Sequence, residues 1–117
     1  MKISEIAKLL DAEVLCGGDR LDGEVKSACG SDMMSDVLAY VKDQAVLLTG
    51  LLNPQVIRTA MMMDMVCVVF VRGKRPTPDV LALAESCKLA VLTTNERLYT
   101  ACGKLYEAGL RGGDQIE

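Results

Sequence analysis

The chain has no histidine and no tryptophan, and only one phenylalanine and three tyrosines among 117 residues. Without histidine it lacks the side chain best suited to proton transfer near neutral pH and a common zinc ligand. Without more aromatic rings it has no platform for stacking nucleic-acid bases. It also lacks an excess of positive charge. Thirteen basic and 16 acidic residues give a net charge of −3, which excludes the basic face of a nucleic-acid module. Long hydrophobic runs are missing too. The longest apolar block, Met65 to Val71, falls well short of the ~18 residues that cross a bilayer. Met1-Lys2-Ile3-Ser4-Glu5 opens an amphipathic pattern and not the apolar core of a signal peptide, so a cytoplasmic protein with no membrane partner is expected.

Short-spaced cysteine pairs are absent. The five cysteines, Cys16, Cys29, Cys67, Cys87 and Cys102, are odd in number and far apart. They read as free thiols in a reducing compartment. A metal or iron–sulfur site would need ligand spacings that do not occur, so no metal and no cofactor is expected. Neither G-x-x-x-x-G-K-[ST] nor G-x-G-x-x-G is present, so no nucleotide fingerprint exists.

What the chain does contain is aliphatic. Half of its residues are hydrophobic while aromatics make up 3 %, so Leu, Val, Ala, Met and Ile must build the core. This length suits one domain, and that much apolar material exceeds what one small core hides, which predicts a homodimer contact. Three apolar runs, Ala45–Gly50, Val66–Gly73 and Leu89–Thr94, each end in a small-residue or basic turn before a helix-like segment. Three βα units with short connections predict an α/β fold, a mostly parallel sheet flanked by helices. The wholly apolar Val66–Val71 reads as the central strand.

Ahead of these units, Ile3 to Leu10 has helical spacing with Ser4 able to cap it, and Glu13–Cys16 reads as a strand. Gly17-Gly18-Asp19 reads as a hairpin turn, and Glu24–Cys29 alternates as a half-exposed strand. This small N-terminal helix and strand pair is expected as an addition at one sheet edge. A helix from about Met33 to Val41 follows, capped by Ser31 or Asp32, with Met34, Val37, Leu38 and Val41 inward. Asn53-Pro54 starts another, with Val56, Ile57, Ala60 and Met61 facing the sheet. The run Met61, Met62, Met63 and Met65 cannot all point one way. The last helix carries Leu98, Ala101, Cys102, Leu105 and Tyr106, with Gly109 as its C-cap. The domain is expected over 1–110, with 111–117 a flexible tail.

Ligands of βα folds gather where strands end and helices begin. Arg72, Gly73, Lys74 and Arg75 form a basic loop that reads either as an anion grip or as a solvated turn. Thr49 and Gly50 either line a cleft or permit a tight bend. Asn53 reads as a helix cap beside that cleft. Thr93 and Thr94 stand at the third strand end, where Thr94 or Asn95 can cap the last helix.

Across nearly its whole length the chain resembles the DRTGG domain family. The likeness is carried by Ala12-Glu13-Val14-Leu15 with Gly17-Gly18, Val25-Lys26, Met33 to Leu38, the strand–turn–helix from Val46 to Ile57, and the strand Val66–Val71. The resemblance implies a fold similar to the N-terminal domain of HPr kinase and a regulatory, dimer-forming role of the kind played beside CBS domains. The family's Asp-Arg pair aligns with Leu52 and Asn53, and its Thr-Gly-Gly with Val71, Arg72 and Gly73, so only Gly73 keeps its identity. The resulting expectation is a stand-alone, non-catalytic ligand-sensing module. It would bind a small anionic metabolite or adenine nucleotide through Thr49, Gly50, Asn53, Arg72–Arg75, Thr93 and Thr94. The alternative is a protein–protein assembly domain with an unidentified protein partner and no ligand.

Overall fold

The computed structural model describes residues 1–40 and 44–112, apart from the Tyr40 side chain. Val41 and residues 113–117 lie outside the described residues. In chain order the elements are α1 (Ile3–Leu9), β1 (Glu13–Cys16), a 3₁₀ turn (Gly18–Arg20), β2 (Ser27–Gly30), α2 (Met34–Tyr40), β3 (Ala45–Thr49), α3 (Pro54–Met62), β4 (Cys67–Phe70), α4 (Pro78–Ser86), β5 (Ala90–Thr93) and α5 (Leu98–Glu107).

The strands form one sheet in the order β1-β5-β4-β3-β2. β2, β3, β4 and β5 run parallel, with Ser27 opposite Ala45, Val46 opposite Cys67 and Cys67 opposite Ala90. β1 joins β5 antiparallel, with a register shift between Val14 and Cys16. β4 is therefore central, and its residues are buried on both faces. The α/β fold with a mostly parallel sheet stands as expected.

Alternation along the strands separates two cores. Val46, Leu48, Cys67, Val69, Ala90 and Leu92 meet α1 and α5 on one face. Ala45, Leu47, Val68, Phe70 and Val91 meet α2, α3 and α4 on the other. The strands advance β2-β3-β4-β5 in one direction across the sheet, so right-handed crossovers put all three connecting helices on one side. The chain starts on the α1 face, crosses to the α2–α4 face after β2, and returns only after β5, when α5 packs beside α1. The loops after β4 and β5 thus leave in opposite directions, the arrangement that opens a ligand crevice in parallel sheets.

The N-terminal strands correct the expected edge addition. They lie at opposite edges of the sheet, so Gly17-Gly18-Asp19 is not a hairpin turn. β2 is shorter than the alternating segment 24–29, and it starts a fourth βα unit. Its alternation correctly signals an edge strand but says nothing of its direction. The residues before it are held elsewhere, since the Ile3 and Val25 amides donate to the Gly23 and Met1 carbonyls.

Several helix ends also differ. Lys2 occupies the N-cap of α1, and the Glu5 carboxylate accepts its amide at 2.8 Å, so Ser4 is not the cap. Ser31 Oγ accepts from Met33 N, while Asp32 reaches across the sheet end instead of capping α2. α5 starts at Leu98 with Arg97 at its N-cap, so neither Thr94 nor Asn95 caps it. Met61 and Tyr106 face outward, and Leu38 is exposed. Elsewhere the local signals hold. Asn53 Oδ1 caps α3 by accepting from Gln55 N at 2.8 Å, with Pro54 behind it. Gly109 and Leu110 donate to Tyr106 and Leu105, which closes α5 with a Schellman arrangement. The Arg111 carbonyl accepts from Ala28 on β2. Among the described residues no helix is long and apolar enough to cross a membrane.

Candidate functional site

Four strands deliver their C-terminal residues to one sheet end, and the chemistry gathers there. After β4, Arg72 and Gly73 both take left-handed backbone conformations, at φ +60° and +69°. Of the non-glycine residues in that region, Asp11, Asp64 and Lys88 follow helix ends and Gln44 precedes β3. Among the described residues Arg72 alone follows a strand. A side chain in this conformation costs about 1–3 kcal/mol. Here it is held by main-chain bonds to the loop after β5: the Arg72 amide donates to Glu96 O and the Gly73 amide to Thr94 O, both at 2.8 Å. These bonds stitch together the two loops that diverge at the crevice.

The stitching aims Arg72 back over the end of β3. A β-carbon placed on Gly50 would lie 2.5 Å from Arg72 Nη2, so only glycine leaves room for the guanidinium. Beneath it, Asp32 Oδ1 accepts from the Gly50 amide at 2.7 Å and from Thr49 Oγ1 at 2.9 Å. The Gly50 amide above all, then the Thr49 hydroxyl and the charges of Arg72 and Lys74, hold the Asp32 carboxyl below its usual range, against a desolvation cost second only to the Gly50 bond. Among the described residues neither Arg72 nor Lys74 enters an ion pair. Glu96, whose carbonyl anchors Arg72, has its carboxylate paired with Lys104 of α5.

The expected site residues divide. Thr49, Gly50, Arg72, Gly73 and Lys74 come together, and Thr93 joins them by donating to Lys74 O at 2.6 Å. Thr94 contributes its carbonyl to Gly73, while its hydroxyl turns away to Leu10 O. Asn53 is occupied as the α3 cap. Arg75 points to β1, where its guanidinium forms a two-pronged pair with Glu13 at 2.8 and 3.1 Å. Leu52 and Asn53 follow β3 and Val71–Gly73 follow β4, so the positions aligned with the family's signature lie at the ends of neighbouring strands. Asp32 is the member that sequence reasoning passed over as a helix cap. Its signal was its place after Gly30, at the end of a fourth parallel strand.

The cysteines supply no site. They are free thiols on separate elements, and no cluster of metal-ligating side chains exists among the described residues. Burial pushes the Cys67 thiol far up, so it stays protonated and inert. A depression of about 790 Å³ lies away from the strand ends, on the outer side of α5 between Tyr99, Cys102, Tyr106 and Arg111. It is shallow, and Arg111 stacks 3.8 Å over the Tyr106 ring.

A three-layer α/β domain with its polar cluster at the parallel strand ends is the class defined by this geometry. The chain belongs to the DRTGG domain family, whose sequence pattern matches residues 5–108. Its fold is similar to the CBS and DRTGG domains of the regulatory region of Clostridium perfringens pyrophosphatase, solved in complex with the activator diadenosine tetraphosphate. The two share 14 % identity at a TM-score of 0.71, over 98 % of this chain and 52 % of that one. The chain thus spans about half of that structure, and the likeness establishes the fold. No curated protein matches the sequence.

Proposed function

We propose that this domain is a non-catalytic regulatory module that senses a small anionic ligand, a phosphate-bearing metabolite or adenine nucleotide, at the strand-end cluster. The observation that carries this reading is Arg72. A strained, non-glycine loop residue is bonded to the neighbouring loop so that its guanidinium sits over Gly50, with Lys74 beside it and no carboxylate in ion-pair contact among the described residues. Preorganised cations of this kind favour phosphate oxygens through charge-assisted hydrogen bonds. A fold shared with a regulatory region crystallised with a nucleotide activator supports the same reading. The hydroxyls at the site support binding and not chemistry, since Thr49, Thr93 and Thr94 are buried and already donate hydrogen bonds. In this reading the module works as a cytoplasmic homodimer, which the exposed Met61 and Met62 at the end of α3 support.

Thermal-shift titration with diadenosine tetraphosphate, adenine nucleotides and phosphorylated metabolites tests this. A ligand at a hundred times its dissociation constant should stabilise the domain by about 2.7 kcal/mol. Arg72→Ala should abolish the shift. If no ligand stabilises the wild type, an assembly domain becomes the better reading. Tyr99 and Tyr106 favour that alternative, being 90 % and 59 % exposed on α5.

A further inference from the structure

We propose that the Asp32 carboxylate is a built-in occupant of the strand-end anion site, and that a phosphate-bearing ligand binds by displacing it from Thr49 and Gly50. This rests on the reading of the Arg72–Lys74 loop as an anion grip. The amides nearest the Arg72 guanidinium in the basic loop are taken, since those of Arg72, Gly73 and Lys74 donate to Glu96, Thr94 and Val71. Next to the Arg72 guanidinium, the donors at the end of β3 are the Gly50 amide and the Thr49 hydroxyl. One oxygen, Asp32 Oδ1, takes both. An acidic side chain has the place that a ligand oxygen would need.

Asp32 is also built to leave. It is exposed, and its second carboxylate oxygen accepts no hydrogen bond among the described residues. The backbone around it is tied down independently, by Ser31 N to Leu48 O at 3.0 Å and by Met33 N to Ser31 Oγ at 3.0 Å. Release therefore needs a side-chain rotation and not a refolding of the turn. The local charge is two cations against one carboxylate, so a phosphate with more charge than Asp32 can outcompete it. Displacement would remove the side-chain link between Asp32 and the end of β3 while the Ser31 N to Leu48 O bond holds the turn in place, and so carry the ligand's arrival to the start of α2 through Asp32 alone.

Calorimetric titration of the full chain with inorganic pyrophosphate tests the displacement. The series is wild type, Asp32→Asn, Asp32→Ala and Arg72→Ala, with the Gly50 amide followed by NMR. Asparagine keeps an acceptor in the same place without the charge, whereas alanine empties it. Asp32→Ala should bind roughly tenfold more tightly than wild type. Asp32→Asn should fall between them, Arg72→Ala should lose binding, and the Gly50 resonance of the wild type should move with the titration. Equal gains in Asn and Ala would assign the effect to charge alone and overturn the displacement. Wild-type binding that needs Arg72 but shows no gain in either Asp32 variant, or leaves the Gly50 resonance unmoved, would overturn it too while keeping the anion reading. Binding by none of the four proteins would overturn both.

Discussion

Two turns, at Gly17 and at Gly73, lie at opposite ends of the sheet and both have left-handed glycines, at φ +84° and +69°. They use glycine for different reasons. A β-carbon on Gly17 would stand 2.6 Å from the Ala90 α-carbon, main chain that begins β5 and cannot give way. A β-carbon on Gly73 would stand 2.9 Å from Asn95 Oδ1, the free end of a side chain in an exposed loop. The first glycine lets two backbones touch and closes the fold. The second sets the direction of a loop whose neighbours carry charge. A glycine turn beside a polar residue is therefore not in itself a ligand site; what surrounds the missing β-carbon decides.

The largest expected effect breaks this comparison at the packed end. Gly17→Ala combines a left-handed alanine with an immovable backbone contact and should cost about 3 kcal/mol in urea unfolding. Gly73→Ala bears the same conformational penalty but only a movable neighbour, and should cost about 1 kcal/mol. Equal losses at the two positions would show that conformation alone matters and that the contact with Ala90 is unimportant.

The same contrast explains what was legible in the residues. The three βα units, the central place of Val66–Val71 and the Asn53-Pro54 helix start are local patterns, and each is found where the chain predicts it. What could not be read locally is where a short strand pairs. Glu13–Cys16 and Ser27–Gly30 each have four residues, too few to name their partners, and the sheet separates them to its two edges. Side-chain direction at a strand end is equally hidden. Asp32, Thr94 and Asn95 all have the composition of helix caps. Yet Asp32 turns across the sheet to Gly50 and Thr94 turns down to Leu10, because the nearest unpaired donors and acceptors belong to distant segments. The basic loop was legible as a run of charges, but not as three side chains with separate fates.

Gly50 sharpens the comparison at the functional end. Its neighbour is again a side chain, the Arg72 guanidinium at 2.5 Å, and no unusual φ requires glycine. Gly50→Ala should change stability by less than about 1 kcal/mol, since the gain from a stiffer unfolded chain offsets a small local clash. It should nevertheless push the guanidinium off the β3 end and abolish the ligand-induced thermal shift. A variant that keeps its fold and its ligand response would mean that Arg72 need not lie over Gly50 to act.

The smallest effect is expected at Arg75, which shares the loop with Arg72 and differs from it in having a partner. Hydrogen bonding to Arg75, and then its charge, hold the Glu13 carboxyl below its usual value. A carboxyl depressed by folding lends stability above the unfolded pKa, and that contribution fades as pH falls through the folded value. Arg75→Ala should therefore melt slightly below wild type at neutral pH, and the two melting curves should converge in acid once Glu13 is protonated. Both groups are exposed, so the neutral-pH difference should also shrink with added salt. Anion affinity should not change, because the Arg75 guanidinium is turned to β1 and away from Gly50. A loss of affinity as large as that of Arg72→Ala would mean that the loop binds anions by its summed charge, and that the geometry separating its two arginines has no functional weight.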